Sequence, residues 1–150
     1  MCRQRAAAVI AKGRDILLIR RVKPDREYYT LLGGGVDDGE SVEDALRREV
    51  MEELTLAVRA HRYLFSEYDV AFSAAVTRHP GSQDVHYFLI EEYRGTPTLG
   101  GEEKEEMTEA NQYHIEWVPM ASISATSGIR PRPDVLEAIR LLGDRASAAP

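Results

Sequence analysis

GGVDDGESVEDALRREVMEELTL, residues 34–56, runs from a glycine-rich segment into an amphipathic stretch. Its periodicity predicts a helix over 42–54. Ser41 stands at the N-cap, with Asp44 three residues on as its capping-box partner. Advancing about 100° per residue, Val42, Ala45, Leu46, Val50 and Leu54 fall on one apolar stripe. Asp44, Arg47 and Met51 lie opposite it, the methionine being out of pattern. Glu49 and Glu53 land inside the apolar stripe, and Glu52 lies on its edge. Acids at i, i+3 and i+4 are neighbours on a helix surface, and like charges so placed repel. Burying them costs several kcal/mol per ion unless something compensates. A hard divalent cation such as Mg²⁺, which takes oxygen ligands, is the natural compensation. A solvated acidic face is the competing reading of the helix by itself.

Ahead of the helix, Gly33, Gly34 and Gly35 favour neither helix nor strand, so a loop is expected there. Its carbonyls could add a hard metal ligand, and its amides beside a helix N-terminus favour phosphate oxygens. A plain glycine turn explains the same residues.

The flanking sequence is rich in strand signals. Apolar runs at 5–11 and 15–22, separated by Lys12-Gly13-Arg14, are expected to form a hairpin. Ile16 to Ile19 shows no polar alternation, which predicts a strand covered on both faces. Further strands are expected at 28–32, 57–70, 84–93 and 113–118, with an unstructured polar loop over 96–111. A last helix is expected at 133–142, with Pro133 in its first turn, followed by a frayed tail after Arg145. There is no repeat and no low-complexity linker, so one domain over residues 1–150 is expected. The order of strands and helices indicates an α+β fold or a mixed-sheet sandwich.

Composition narrows the function classes. The 150 residues carry a net charge of −6, which argues against stable nucleic-acid binding and against an anionic membrane surface. The one cysteine, Cys2, excludes an internal disulfide and fits a reducing, cytoplasmic setting. No apolar run approaches the roughly 18 residues of a membrane span.

Read as one unit, Gly34, Glu40, Arg48-Glu49-Val50, Glu52-Glu53 and Leu56 resemble the Nudix box in residue type and spacing. Thr55 stands where that family has glycine, and Leu32 stands where a proline usually precedes the glycine pair. A β-branched residue adopts the left-handed conformation poorly, so the helix is expected to end differently here. The resemblance implies a Nudix-type α/β/α sandwich with a mixed β-sheet. It further implies a Mg²⁺-dependent hydrolase, with Mn²⁺ a potential substitute, that cleaves a phosphoanhydride bond of a nucleoside diphosphate linked to another group.

The same resemblance assigns metal ligation to Glu49, Glu52, Glu53 and the Gly34 carbonyl. Arg48 would orient the carboxylates, while Gly35 and Glu40 would be structural parts of the box. The general base is left between the box helix and a later acidic run, Glu102, Glu103, Glu105 and Glu106, which also reads as a solvated charge run. Arg20 and Arg21 are candidates for phosphate contact and Tyr28 for stacking on a base. The expected partners are a small-molecule nucleotide substrate and, at most, a second copy in a homodimer. Secondary motifs that mark particular Nudix substrates are not evident after Leu56. The alternative is a non-catalytic Nudix-like regulator that binds a nucleotide.

Overall fold

A computed structural model describes residues 3–69, 83–125 and 129–130. Its strands are β1 (Arg3–Val9), β2 (Ala11–Lys12), β3 (Asp15–Lys23), β4 (Arg26–Thr30), β5 (Leu32–Gly35), β6 (Ala57–Asp69), β7 (Gln83–Arg94), β8 (Gln112–Pro119) and β9 (Ile129–Arg130). Two α-helices, α1 (Val42–Leu54) and α2 (Gly101–Glu105), and a 3₁₀ turn at Met120–Ala125 complete it. One sheet has the order β5-β1-β7-β6 and is mixed, with β1 parallel to β7 and the other pairs antiparallel. The second has the order β2-β3-β4-β9, with β8 also paired to β3. This is the α+β, mixed-sheet architecture expected from the sequence. The helix expected at 133–142, which would supply the second helical layer, lies outside the described residues.

The strand Ile16–Ile19 explains how both faces are used. Ile16 and Leu18 enter one core with Ala7, Val9, Val85, Tyr87 and Leu89. Leu17 and Ile19 enter another with Ala6, Ala8, Phe88 and the apolar face of α1. Successive strand residues point to opposite faces, so an unbroken apolar run is what burial on both sides demands.

Four local expectations outside α1 are corrected. Residues 5–11 do not form one arm of a hairpin with β3. Only Ala11 and Lys12 pair there, while β1 crosses to the other sheet and lies between β5 and β7. The strand expected at 28–32 ends at Thr30 and a new one starts at Leu32.

The third correction concerns the glycines 33–35, which are strand rather than loop: they pair with Ala7, Ala6 and Arg5 of β1. Gly33 has φ 145°, and a Cβ on it would stand 2.9 Å from the Ala7 Cα. The close backbone approach is what requires a residue without a side chain. The fourth is the stretch 96–111, which contains the short helix α2 and a bridge between Thr108 and Asn111.

Helix α1 begins as the sequence indicates, with the Ser41 hydroxyl accepting from the Asp44 amide at 3.1 Å. Its end differs from expectation: Thr55 takes the left-handed conformation after all, at φ 61° and ψ 34°, and its N–H donates to Met51 O. Leu32, fully buried, opens β5 as an apolar anchor. Among the described residues, no helix is long and apolar enough to cross a membrane.

Candidate active site

The helical period placed two acids on the apolar side of α1, and the fold encloses both. Glu53 is only 5% exposed, and its Oε1 accepts from the Gly33 amide at 3.3 Å. The Glu49 side chain is 16% exposed and lies against β5. A Cβ on Gly34 would come within 2.5 Å of its Oε2. Glycine at 34 is therefore the space in which the Glu49 carboxylate sits. Glu52, one turn along, is half exposed, and Met51 is exposed on the far side.

Arg48 organises this face with a single guanidinium. Its Nε and Nη2 donate to the two oxygens of Glu40 at 2.8 and 2.9 Å. Nη2 also donates to the Gly35 carbonyl at 3.0 Å, tying α1 to β5. Nη1 donates to Glu49 Oε1 at 2.8 Å and to Glu52 Oε2 at 3.4 Å. The fork geometry of arginine permits several charge-assisted bonds at once. The bonds from Arg48, then the Asp37 amide, hold the Glu40 carboxyl down at about 2 from its ordinary 4.5. In return Glu40 and, after it, Glu49 raise the Arg48 guanidinium further above its already high range.

The donors gathered here are carboxylates and strand backbone, which are hard oxygen ligands suited to Mg²⁺ or Mn²⁺. Among the described residues, no three His, Cys, Asp or Glu side chains converge on one point. Arg48 draws Glu49 and Glu52 toward itself. The donor chemistry fits such a cation, which would have to draw Glu49 and Glu52 away from Arg48.

The other candidates are distributed. Arg20 and Arg21 are adjacent on β3 and so point to opposite faces. Arg20 bonds Glu116 at 2.6 Å and Glu27 at 3.2 Å. Its own pKa is raised, first by the bond to Glu116. Arg21 stacks 3.7 Å above the Tyr113 ring centroid, and its Nη2 donates to Asn111 Oδ1 at 2.6 Å. Tyr28 is 5% exposed, with Arg21 and Arg26 over its ring, so neighbouring side chains already occupy its face. Trp117 is partly buried against the core that includes the apolar face of α1. It also lines a depression of about 420 Å³ with Lys12, Leu17, Tyr93 and Ile115, which contains none of the candidate carboxylates.

The acidic run lies on and after α2, with Glu105 exposed and Glu106 half-buried. The side chains of Glu102 and Glu103 lie outside what the structure describes. Backbone bonds attach the segment to the box helix: Thr98 N–H donates to Leu54 O at 2.9 Å and Gly100 N–H to Glu53 O at 3.0 Å. No local pattern signals this attachment, because its partners are more than 40 residues apart in the chain.

The NUDIX domain model matches residues 2–139. The chain is 38% identical over 74 residues to the NAD-capped RNA hydrolase NudC of Erwinia tasmaniensis, covering 44% of this chain and 28% of that protein. It is 32% identical over 92 residues to the human mitochondrial NAD(P)H pyrophosphatase NUDT13, covering 57% of this chain and 26% of that protein. The chain thus spans roughly a quarter of the length of these curated relatives. Among solved structures, the MutT NUDIX hydrolase from Burkholderia pseudomallei superposes with a TM-score of 0.70 at 23% identity, covering 93% of this chain and 98% of that one. That likeness shows the fold.

Proposed function

The chain belongs to the NUDIX domain family, and on that premise we propose that it is a pyrophosphohydrolase that splits a phosphoanhydride bond in a nucleotide derivative with the help of Mg²⁺ or Mn²⁺. One observation carries the reading: two carboxylates, Glu49 and Glu53, are enclosed against a strand of glycines, and the glycine at 34 leaves the room that one of them fills. Arg48 offsets part of the charge at Glu49, and a bound divalent cation would offset more of it on this acidic face.

In this reading Glu49, Glu52, Glu53 and the Gly34 carbonyl hold the cation. Such a cation would supply charge to neutralise the diphosphate and to lower the pKa of a water. Arg48 fixes the angles of the carboxylates, and Glu40 holds Arg48. The acidic segment around α2 stands beside the end of α1 and supplies a further carboxylate, as base or ligand. Arg21, bonded to Asn111 beyond that segment and on the face of β3 that Leu17 and Ile19 turn toward α1, is the candidate for a phosphate contact.

The names of the relatives share one chemical group, the pyrophosphate of a nicotinamide dinucleotide, so NAD(H) heads the substrate screen. Nucleotide sugars, ADP-ribose, dinucleoside polyphosphates and nucleoside triphosphates complete it, each with Mg²⁺, with Mn²⁺ and with excess EDTA. Cleavage at an internal phosphoanhydride that stops on chelation is the expected result. Turnover undiminished in EDTA would overturn the metal assignment. Tight binding without cleavage of any member would make the chain a nucleotide-binding regulator instead.

A further inference from the structure

Thr55, the residue that departs from the box pattern, is the one non-glycine among the described residues with a positive φ. A β-branched side chain is strained there, whereas glycine is at ease. What threonine adds is a hydroxyl, and Thr55 Oγ1 donates to the Thr98 carbonyl at 3.2 Å. Two backbone bonds lie beside it: Thr98 N–H to Leu54 O, and Gly100 N–H to Glu53 O. Together the three clip residues 98–100 across the last turn of the helix that carries Glu49, Glu52 and Glu53. Gly100 is shaped to this seat, since a Cβ there would stand 3.0 Å from Glu52 O and 3.2 Å from Thr55 Oγ1. Helix α2 starts at the next residue, Gly101, and the acidic run one residue later. The far end of the run is tied separately, by Arg21 to Asn111 at 2.6 Å and by the paired backbones of Asn111 and Thr108.

We propose that Thr55 is a positioning residue: its hydroxyl fixes the root of the acidic segment 101–106 to the C-terminal turn of α1, and so sets that segment's reach toward the box carboxylates. The functional half of this statement rests on the proposed pyrophosphohydrolase reading, whereas the tether itself does not. Two of the three clips are backbone bonds that any residue at 55 keeps. Only the third depends on the side chain, so it can be removed alone. Thr55→Gly removes the strain and the tether together. Stability and positioning should therefore move in opposite directions, which a residue with a merely structural role would not produce.

The test compares Thr55→Ser, Thr55→Gly and Thr55→Ala in the full chain. Amide hydrogen exchange over 98–106 should match the parent in the serine variant. In the glycine and alanine variants it should quicken about threefold to tenfold, the range expected for losing one hydrogen bond. Exchange at Leu46 and Val50 should stay unchanged, and Thr55→Gly should melt no lower than the parent. On the substrate found by the screen, kcat should fall several-fold in Thr55→Gly and Thr55→Ala with little change in KM, and serine should restore it. Parental exchange in Thr55→Gly would overturn the tether. Faster exchange with parental kcat would overturn the positioning role. Exchange needs no substrate, so a chain that cleaves nothing would refute the proposed activity and leave the tether decided on its own evidence.

Discussion

Arg48 grips both oxygens of Glu40, with Nε to Oε2 at 2.8 Å and Nη2 to Oε1 at 2.9 Å. The same guanidinium reaches the Gly35 carbonyl and Glu49. The loop before the helix, the glycine strand and the Glu49 carboxylate are thus fixed through one side chain. An arginine so placed sets the relative positions of Glu40, Glu49 and β5.

That grip predicts a dependence of stability on acid. Glu40 is held at about 2 in the fold, below its ordinary 4.5, chiefly by Arg48. A depressed carboxylate contributes its full share above the unfolded value and loses it as pH falls through the folded one. The stability difference between the parent and Glu40→Gln should be constant above about pH 5.5. It should then shrink steadily from about 4.5 toward 2. Urea unfolding at a series of pH values reads this directly. A difference that stays flat across the window would mean that Glu40 is not held by Arg48 in solution.

The glycine strand predicts a contrast between two alanine substitutions. Gly33 has positive φ and no room, with Ala7 Cα 2.9 Å from the place where a Cβ would go. Gly39 has positive φ, at 80°, but open space around it. Gly39→Ala should cost only backbone strain, about 1 kcal/mol. Gly33→Ala adds overpacking against β1 and should cost about 3 kcal/mol or more. Equal losses in chemical denaturation would refute the close approach of β5 to β1.

Legibility followed the range of the interaction. The enclosure of Glu49 and Glu53 could be read from the period of α1, and the double burial of Ile16–Ile19 from the lack of alternation, because both are local patterns. By local propensity the glycines 33–35 are a loop, because their need for bare backbone comes from Ala6 and Ala7, far away in sequence. Local propensity also said that Thr55 should avoid a left-handed helix end. It adopts one, and its hydroxyl meets a carbonyl 43 residues away that no local rule anticipates. Alternation along β3 already puts Arg20 and Arg21 on opposite faces. What the sequence hides is the partners that β4 and β8 bring to each, Glu27 and Glu116 for Arg20 and Tyr28 and Tyr113 for Arg21.

Glu53→Gln tests the centre of the proposal. The substitution keeps an oxygen for the Gly33 amide and removes one charge from a crowded acidic face. The fold should survive, with a melting temperature equal to the parent's or higher. Turnover should fall a hundredfold or more, the size of losing an electrostatic contribution of ~3 kcal/mol. An unimpaired rate would remove Glu53 from the cation site.

The last prediction separates the roles of the acidic run. Glu102, Glu103 and Glu105 lie on α2, Glu106 follows it, and the segment is anchored at Gly100 and at Asn111. A segment held at both ends can present one carboxylate repeatedly in the same place, which a free loop cannot. Single Gln substitutions at the four positions should therefore be unequal. One variant should lose turnover at least tenfold, and the other three should stay within about twofold, as for solvated surface acids whose exposed pairs contribute ~1 kcal/mol or less. A base and a ligand are then told apart by two readouts. Loss of a base shifts the acidic limb of the pH–rate profile and leaves the Mg²⁺ concentration for half-maximal rate unchanged. Loss of a ligand raises that concentration and leaves the limb in place. If all four variants, and the variant combining them, turn over at the parental rate, the run is a solvated segment. The base then lies among Glu49, Glu52 and Glu53.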